Sequence, residues 1–352
     1  MDINLDKIDL AKADPRKMRD FLADFPKYAQ DAWQIADEFA LPTYFIKCKK
    51  IVFLGMGASG IAGEFLKDLM GESPTIIECV HNYDLPAWVD KQTLVIALSH
   101  SGETEEALYA FVSAFQMGAK LLAITSGGRL ERLCYKYRAA IIKYQFSSEP
   151  KLAFPYLFVI PLVVLLKLGL IEFSEDEFAK TMILLSSQIK KISPDNHTAI
   201  NPAKDLAKKI AGRLVYIISS DNLRASGLRF ANAISENGKN LAAIGFLPEI
   251  NHNLIAGLEF PNEIIDKTTF IILESKYSRE EIKKRQNITS YFFSRKKISC
   301  VRLNFPSAIN KFSEQMLSVN FSEYVAMYLG FLNQVNPSSA TVVEQIKSEL
   351  SK

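Results

Sequence analysis

Histidine and cysteine are scarce in this chain, and neither is spaced as a metal site requires. Four of each occur among 352 residues. The cysteines form no C-x-x-C pair, and the histidines form neither H-x-x-x-H nor H-E-x-x-H. The sequence therefore predicts neither a disulfide framework nor a zinc site. The residues concerned are Cys48, Cys79, Cys134, Cys300, His81, His100, His197 and His252.

An excess of charge of one sign is also missing. The chain has 42 basic and 39 acidic residues, which gives a formal net charge of +3. Its basic runs, such as 283–285 and 295–297, are short and scattered. Binding to nucleic acid requires a concentrated basic surface. We therefore expect no nucleic-acid partner.

Only one long uncharged apolar stretch occurs, at residues 152–166. It is shorter than a membrane span, and Pro155 and Pro161 interrupt it. Charged residues begin at Asp2, so the first residues do not resemble a signal peptide. The sequence predicts a buried helix at 152–166, no membrane association and a cytoplasmic location.

The dominant pattern is an alternation of short apolar strands with helical segments. A chain of this length exceeds what one core usually accommodates, so we expect two domains. Strand–helix alternation indicates right-handed crossovers and parallel sheets, hence an α/β fold. Strands are expected at 50–54, 75–80, 94–98, 120–125, 139–144, 214–218, 268–273 and 298–303. We expect a helical lead-in over 1–45, domains over 46–190 and 191–335, and a C-terminal segment over 336–352.

Two loops rich in glycine and hydroxyl groups follow neighbouring strands of the first domain. Gly55–Gly60 (GMGASG) comes after the apolar run 51–54, and Ser99–Thr104 (SHSGET) comes after 94–98. Each loop opens a helical pattern. Its hydroxyls and free amides should therefore lie at the carboxyl edge of one parallel sheet, where α/β proteins bind phosphate.

The first loop also matches the dinucleotide-binding pattern G-x-G-x-x-G, with Glu78 as a candidate ribose-binding acid. On that interpretation the protein is a nicotinamide-dependent dehydrogenase. The second loop favours a small phosphomonoester instead, because Ser99, Ser101 and Thr104 place three hydroxyl donors at a helix start. A simpler alternative is that these hydroxyls only cap the helix.

Further motifs give the chain a family resemblance. ITSGG lies at 124–128, SENGK at 235–239 and LPEINHN at 247–253, and Lys347 follows Asn336-Pro337 eleven residues after the asparagine. Together with the two loops, they resemble the bifunctional phosphoglucose/phosphomannose isomerases from about residue 46 to the C-terminus. The resemblance implies two sugar-isomerase (SIS) domains, each a three-layer α/β/α sandwich with a parallel sheet. A helical lead-in and a C-terminal helix would complete the fold.

The resemblance also implies a role for each matching residue. The phosphate would be held by two of the loops, Glu236 would be the base, His252 would open the sugar ring, and Lys347 would contact the substrate. In this family the histidine comes from the partner subunit, so a homodimer is implied. The implied phosphate-binding residues are Gly57, Ser59, Ser99, Ser101 and Thr104.

The implied reaction interconverts glucose 6-phosphate and fructose 6-phosphate, and also mannose 6-phosphate and fructose 6-phosphate. It moves a proton between C1 and C2 through a cis-enediolate. This requires one base that reaches both carbons, an acid–base group for ring opening and a positive charge near the oxyanion. No metal, nicotinamide or other cofactor is required by that route.

Two positions depart from the family pattern. Lys151 stands where an arginine is typical, which keeps the charge and loses the planar guanidinium. Ala340 stands where a threonine thought to help distinguish the C2 epimers is typical, and Thr341 follows it. Such changes are also what a non-catalytic sugar-phosphate-binding regulator of the same fold would show. The presence of Glu236, His252 and Lys347 together favours the enzyme.

Overall fold

The computed structural model describes residues 3–71 and 73–350, apart from five side chains in the last helix: Thr341, Glu344, Lys347, Ser348 and Leu350. The chain divides into two compact units. The central unit is Asp24–Met182, and the split unit combines Met1–Ala23 with Ile183–Lys352. The boundaries expected from the sequence, after 45, 190 and 335, stay a prediction.

Helices and strands alternate through both units. The helices are α1 Leu10–Ala13, α2 Met18–Ala23, α3 Phe25–Glu38, α4 Gly57–Met70, α5 Glu105–Gln116, α6 Gly128–Tyr137, α7 Phe154–Lys167, α8 Glu175–Ile192, α9 Pro202–Ile210, α10 Arg224–Glu236, α11 Asn262–Asp266, α12 Glu280–Arg295, α13 Lys311–Leu332 and α14 Thr341–Leu350. The strands are β1 Lys50–Leu54, β2 Ile76–Val80, β3 Thr93–Ser99, β4 Lys120–Thr125, β5 Ala140–Lys143, β6 Leu214–Ser219, β7 Ala242–Phe246, β8 Thr268–Glu274 and β9 Ser299–Asn304.

The central unit contains a five-stranded parallel sheet in the order β2-β1-β3-β4-β5. Its middle strand, β3, is buried along its whole length, as expected for a parallel strand covered on both faces. The strand order reverses direction between β1 and β3. The loops after these two strands therefore meet at the switch point, where open α/β sheets bind ligands.

The apolar stretch expected to be a buried helix is α7. By length and composition the segment Pro150–Lys167 is long enough to cross a membrane, and 78% of it is buried inside the structure. Helix α3 packs along it, and Lys167 at its end donates to the carbonyls of Ala36 and Phe39. Its burial is that of the core helix of a globular unit.

The split unit contains a four-stranded parallel sheet in the order β7-β6-β8-β9. It repeats the arrangement of the first four strands of the central sheet, in which the second strand also lies outside the first. Ile218, Phe270, Ile272 and Phe293 belong to its core. The predicted α/β class with two parallel sheets is confirmed.

Residues 3–23 are held to the rest of the split unit by polar contacts. Asp6 Oδ1 accepts hydrogen bonds from Thr198 N and Oγ1, both at 2.8 Å, and from Lys204 Nζ at 3.0 Å. The Leu22 carbonyl accepts from Asn320 Nδ2 at 3.3 Å. These contacts join the segment to α9 and α13, far along the chain.

Candidate functional site

The hydroxyl-rich loop Ser99–Thr104 lies between β3 and α5, at the sheet edge where it was expected. Ser99 is 1% exposed, and its Oγ donates to Thr104 Oγ1 at 3.3 Å and accepts from Gly102 N at 3.2 Å. Ser101 is exposed, and its Oγ accepts from Glu103 N at 3.2 Å. The loop thus brings Ser99 and Thr104 together at the start of α5, with Ser101 facing solvent.

A third loop, Thr125–Gly128 between β4 and α6, is locked onto this hydroxyl loop. Ser126 Oγ donates to the His100 carbonyl at 2.6 Å, and Leu130 N donates to the Gly102 carbonyl at 2.9 Å. Arg129 donates to the Glu103 carboxylate from its backbone N at 2.8 Å and from Nε at 2.6 Å. Sequence reasoning missed the Arg129–Glu103 pair, because the two residues are 26 positions apart in the chain and Arg129 belongs to neither loop motif.

The glycine loop Gly55–Gly60 leads from β1 into α4. A Cβ at Gly55 would lie 2.8 Å from the Leu98 carbonyl oxygen, so the chain needs glycine for this close approach. Gly57 has φ +53, is exposed and has open space at the Cβ position. Ser59 is half-buried in the first turn of α4. The loop therefore presents backbone and one hydroxyl at a helix N-terminus, an arrangement that favours anions.

His81 contacts the backbone of the glycine loop, and the sequence did not indicate this role. Its Nδ1 lies 2.9 Å from the Gly55 carbonyl oxygen, and its Nε2 lies 3.0 Å from Glu64 Oε1. Both partners are acceptors, so the two contacts favour the imidazolium, in which both ring nitrogens donate. The hydrogen bond to Glu64 outweighs the opposing effect of burial and raises the pKa of His81 above its ordinary value.

His100 lies inside the hydroxyl loop, but its ring is buried away from solvent. Its Nδ1 is 3.0 Å from the Tyr144 hydroxyl, and the ring packs against Tyr144 and Phe146. Burial lowers the pKa of His100, which favours the neutral imidazole. From its place in the loop, the sequence predicts that His100 lines the site without performing acid–base chemistry, and this stays a prediction.

Lys151 lies in the 3₁₀ turn Pro150–Ala153 that leads into α7, and its side chain is half-buried. This turn packs against α4, the helix that begins at Gly57. The structure therefore brings the turn that carries Lys151 to the helix that follows the glycine loop.

In the split unit, Glu236 is the last residue of α10 and is half-buried. Lys239 Nζ donates to the Glu236 carbonyl and, at 2.5 Å, to the Ser339 carbonyl. Asn333 Nδ2 donates to the Gly238 carbonyl at 2.8 Å. The SENGK turn and the Asn336-Pro337 segment, about a hundred residues apart in the chain, thus lie side by side.

His252 ends the 3₁₀ turn Glu249–His252, and its side chain is exposed. The neighbouring Asn251 is held by Thr289 Oγ1 at 2.8 Å. Within residues 3–71 and 73–350, no hydrogen bond joins the His252 ring to Glu236. Lys347 lies on α14, and its side chain is outside the described part of the structure.

No group of three or more His, Cys, Asp or Glu side chains that could hold a metal ion occurs among the described residues. Glu78, the candidate ribose-binding acid, lies on β2 with a carboxylate oxygen 3.5 Å from Lys67 Nζ.

Two protein-family models match the chain, one in each half. The SIS domain model matches residues 44–143, which contain the glycine and hydroxyl loops. The model of the bacterial phospho-glucose isomerase C-terminal SIS domain matches residues 199–350, which contain Glu236, His252 and Lys347. The predicted presence of two SIS domains is therefore confirmed.

Curated relatives cover nearly the whole chain. A bifunctional phosphoglucose/phosphomannose isomerase from Caldicellulosiruptor bescii is 30% identical over 329 residues, which are 93% of this chain and 97% of the relative. The protein of the same name from Aquifex aeolicus is 27% identical over 309 residues, 86% of this chain and 91% of the relative.

Solved structures show the same fold. A glucose-6-phosphate isomerase like protein from Thermus thermophilus aligns with a TM-score of 0.62 at 17% identity, over 97% of this chain and 99% of that one. With two SIS models matched in order and a 30% identical relative aligned almost end to end, the chain belongs to the bifunctional phosphoglucose/phosphomannose isomerase family.

Proposed function

We propose that this protein interconverts glucose 6-phosphate and fructose 6-phosphate, and mannose 6-phosphate and fructose 6-phosphate, as a cytoplasmic homodimer. The observation that carries the proposal is that two features of the same family occur together in this chain. One is the pair of phosphate-binding loops at the switch point of the central sheet, and the other is Glu236 at the end of α10, beside the Asn336-Pro337 segment. Relatives that carry the name of this activity cover the chain almost completely.

The phosphate group is bound by the central unit. Backbone amides at the start of α4 and α5 point toward the loops, and helix N-termini attract anions. Thr104, Ser101 and Ser59 supply hydroxyls, and Ser99 donates to Thr104 Oγ1 and so orients that hydroxyl within the phosphate-binding loop. Binding energy from the phosphate, which does not react, orients C1 and C2 and so supports turnover as well as affinity.

Proton transfer belongs to the split unit. Glu236 removes the proton from one carbon and returns it to the other through the cis-enediolate. The partner subunit's His252 opens the sugar ring, and the exposure of His252 on its own chain supports that role. Lys347 contacts the substrate, and Lys151 supplies positive charge near the enediolate oxygen. The route needs neither metal nor nicotinamide.

Turnover of fructose 6-phosphate by wild type, Glu236→Gln and Glu263→Gln, in the presence of EDTA, tests the proposal. Glu263 is a matched control, since it is an exposed glutamate of the same unit on a short helix. We expect Glu236→Gln to lower kcat at least 10³-fold with KM little changed, because a glutamine cannot accept the proton. Glu263→Gln should retain wild-type kcat.

The ratio of glucose 6-phosphate to mannose 6-phosphate turnover measures the sugar preference of the wild type, which the alanine at position 340 leaves open. If wild type shows no turnover while fructose 6-phosphate still raises its melting temperature, the protein is a sugar-phosphate-binding regulator and the isomerase proposal is wrong.

A further inference from the structure

A buried ion pair lies beneath the turn that carries Glu236. Arg229 of α10 and Glu323 of α13 are 1% and 2% exposed, and Arg229 Nη2 forms an ion pair with Glu323 Oε1. The other carboxylate oxygen, Oε2, accepts a hydrogen bond from Asn237 Nδ2 at 2.8 Å, and Asn237 is completely buried. The middle of α13 is thus joined to the residue that directly follows Glu236.

Stability alone is a poor explanation for this pair. Removing two charges from water costs free energy that their attraction repays only in part, and apolar side chains of similar volume often stabilise a core as well. A charged carboxylate, however, fixes its donors in distance and direction more firmly than a neutral acceptor does. The pair is therefore better suited to holding Asn237 in one position.

The backbone around Asn237 is packed as tightly as its side chain. A Cβ at Gly330 of α13 would lie 2.6 Å from the Asn237 carbonyl oxygen, and a Cβ at Gly238 would lie 2.9 Å from Leu329 Cδ2. Asn333 Nδ2 binds the Gly238 carbonyl on the far side of the turn. The end of α10 therefore cannot slide along α13 without breaking these contacts.

We propose that Arg229, Glu323 and Asn237 are positioning residues for the Glu236 carboxylate, which rests on the proposed role of Glu236 as base. Arg229 lies two helical turns before Glu236 on the same face of α10, and Asn237 follows it directly. Glu323 contacts both Arg229 and Asn237. It therefore holds the end of α10 at one position before Glu236 and at one position after it. A base that must reach both C1 and C2 tolerates little displacement, and such displacement lowers kcat more than it weakens substrate binding.

Glu323→Gln and Asn237→Ala test this role. Glu314→Gln is the matched control, because Glu314 is also on α13, is 1% exposed, and binds Asn222 and Ser275 at the start of the helix. We expect both test variants to lower kcat about 10- to 100-fold with KM within about twofold of wild type. Glu314→Gln should lower the melting temperature to a similar extent and leave kcat per folded molecule unchanged.

The double variant Glu236→Gln/Glu323→Gln should turn over no more slowly than Glu236→Gln alone, because positioning has no effect once the base is absent. Unchanged kcat in Asn237→Ala and Glu323→Gln, or a loss no larger than in Glu314→Gln, would overturn the positioning role while Glu236→Gln stays inactive. Wild-type turnover in Glu236→Gln would overturn the proposed base and the positioning role together. If Glu323→Gln does not fold, Asn237→Ala decides the question.

Discussion

At the scale of single residues, the contacts that His81 makes with the glycine loop should stabilise the protein to an extent that depends on pH. Its imidazolium joins the Gly55 carbonyl to Glu64. The pKa of this ring is raised above the ordinary 6.5, mainly by the hydrogen bond to Glu64. A raised histidine pKa stabilises the folded state fully below the unfolded value, and that contribution is lost as pH rises through the folded pKa.

We therefore expect the free energy of unfolding of wild type to exceed that of His81→Gln most below pH 6.5, and the difference to shrink at higher pH. Urea unfolding across this range measures it. Glu64→Gln removes the carboxylate charge that raises the pKa of His81 and should flatten the pH dependence in the same way. A difference between wild type and His81→Gln that stays constant with pH would show that the ring does not titrate in this window.

The sequence allows a residue's role to be predicted when its partners are close by in the chain. It does not when those partners are brought together only by the fold. The hydroxyls of Ser99 and Thr104 could be predicted, because they share a short loop at a helix start. His81 could not, since its partners Gly55 and Glu64 lie 26 and 17 positions away in the chain. The same is true of Arg129 and Glu103, and of the buried charges under Glu236.

At the scale of elements, the hydroxyl loop and the loop after β4 form one interlocked unit. Gly102 has φ +65, and a Cβ at this position would overlap with the Gly127 carbonyl oxygen. Gly118, in the turn between α5 and β4, has φ +78 and nothing within 4 Å of its Cβ position. The two glycines thus share a left-handed backbone and differ in the space around them.

Gly118→Ala should cost about 1 kcal/mol of stability from backbone strain alone. Gly102→Ala adds a backbone clash and should cost about 3 kcal/mol or more, and it should also weaken binding of inorganic phosphate. Chemical denaturation and calorimetric titration with phosphate measure the two effects. Equal losses in the two variants would contradict the proposed interlock.

Strand positions were predicted well where the strands are continuous apolar runs. β1 and β4 have the expected bounds, and other predicted strands differ by a residue or so at their ends. Strand β7 was missed, because Ala-Ala-Ile-Gly-Phe has low strand propensity and the strand lies at an edge of its sheet. Pro26 lies in the first turn of α3, where proline is accommodated.

At the scale of the whole molecule, the split unit depends on contacts from residues 3–23. Lys204 is 1% exposed, and Asp6 is its carboxylate partner. Partial burial raises the pKa of Asp6, but hydrogen bonds from Lys204 and Thr198 outweigh it and lower that pKa from 3.8 to about 2. A lowered carboxyl pKa contributes stability above the unfolded value, which is lost as pH falls through the folded one.

Asp6→Asn should therefore destabilise the protein by about 2 kcal/mol at neutral pH, because a charged donor loses its charged acceptor. The difference from wild type should shrink between about pH 4 and pH 2. Asp9→Asn is the control, since Asp9 is exposed and caps α1, a role that asparagine fills equally well. Denaturation of both variants at several pH values measures the effect, and an equal loss in Asp9→Asn would contradict it.

The sequence identified residues 1–45 as helical but gave no sign that they would be shared between two units. The division falls after Ala23, where α2 ends and the next residue precedes α3. The local sequence pattern does not show that α2 and α3 belong to different units, because this depends on which residues, far away in the chain, each helix contacts. For α2 these include Asn320, and for α3 they include α7.

This division sets an order of events during translation. Residues 24–182 form a compact unit, and domains generally fold as units, the earlier ones first, during synthesis. Residues 3–23 are made before that unit, but their partners at Thr198, Lys204 and Asn320 are made after it. Residues 3–23 therefore cannot complete these contacts until Asn320 has been synthesised and has left the ribosome, which happens after all of residues 24–182 have been made.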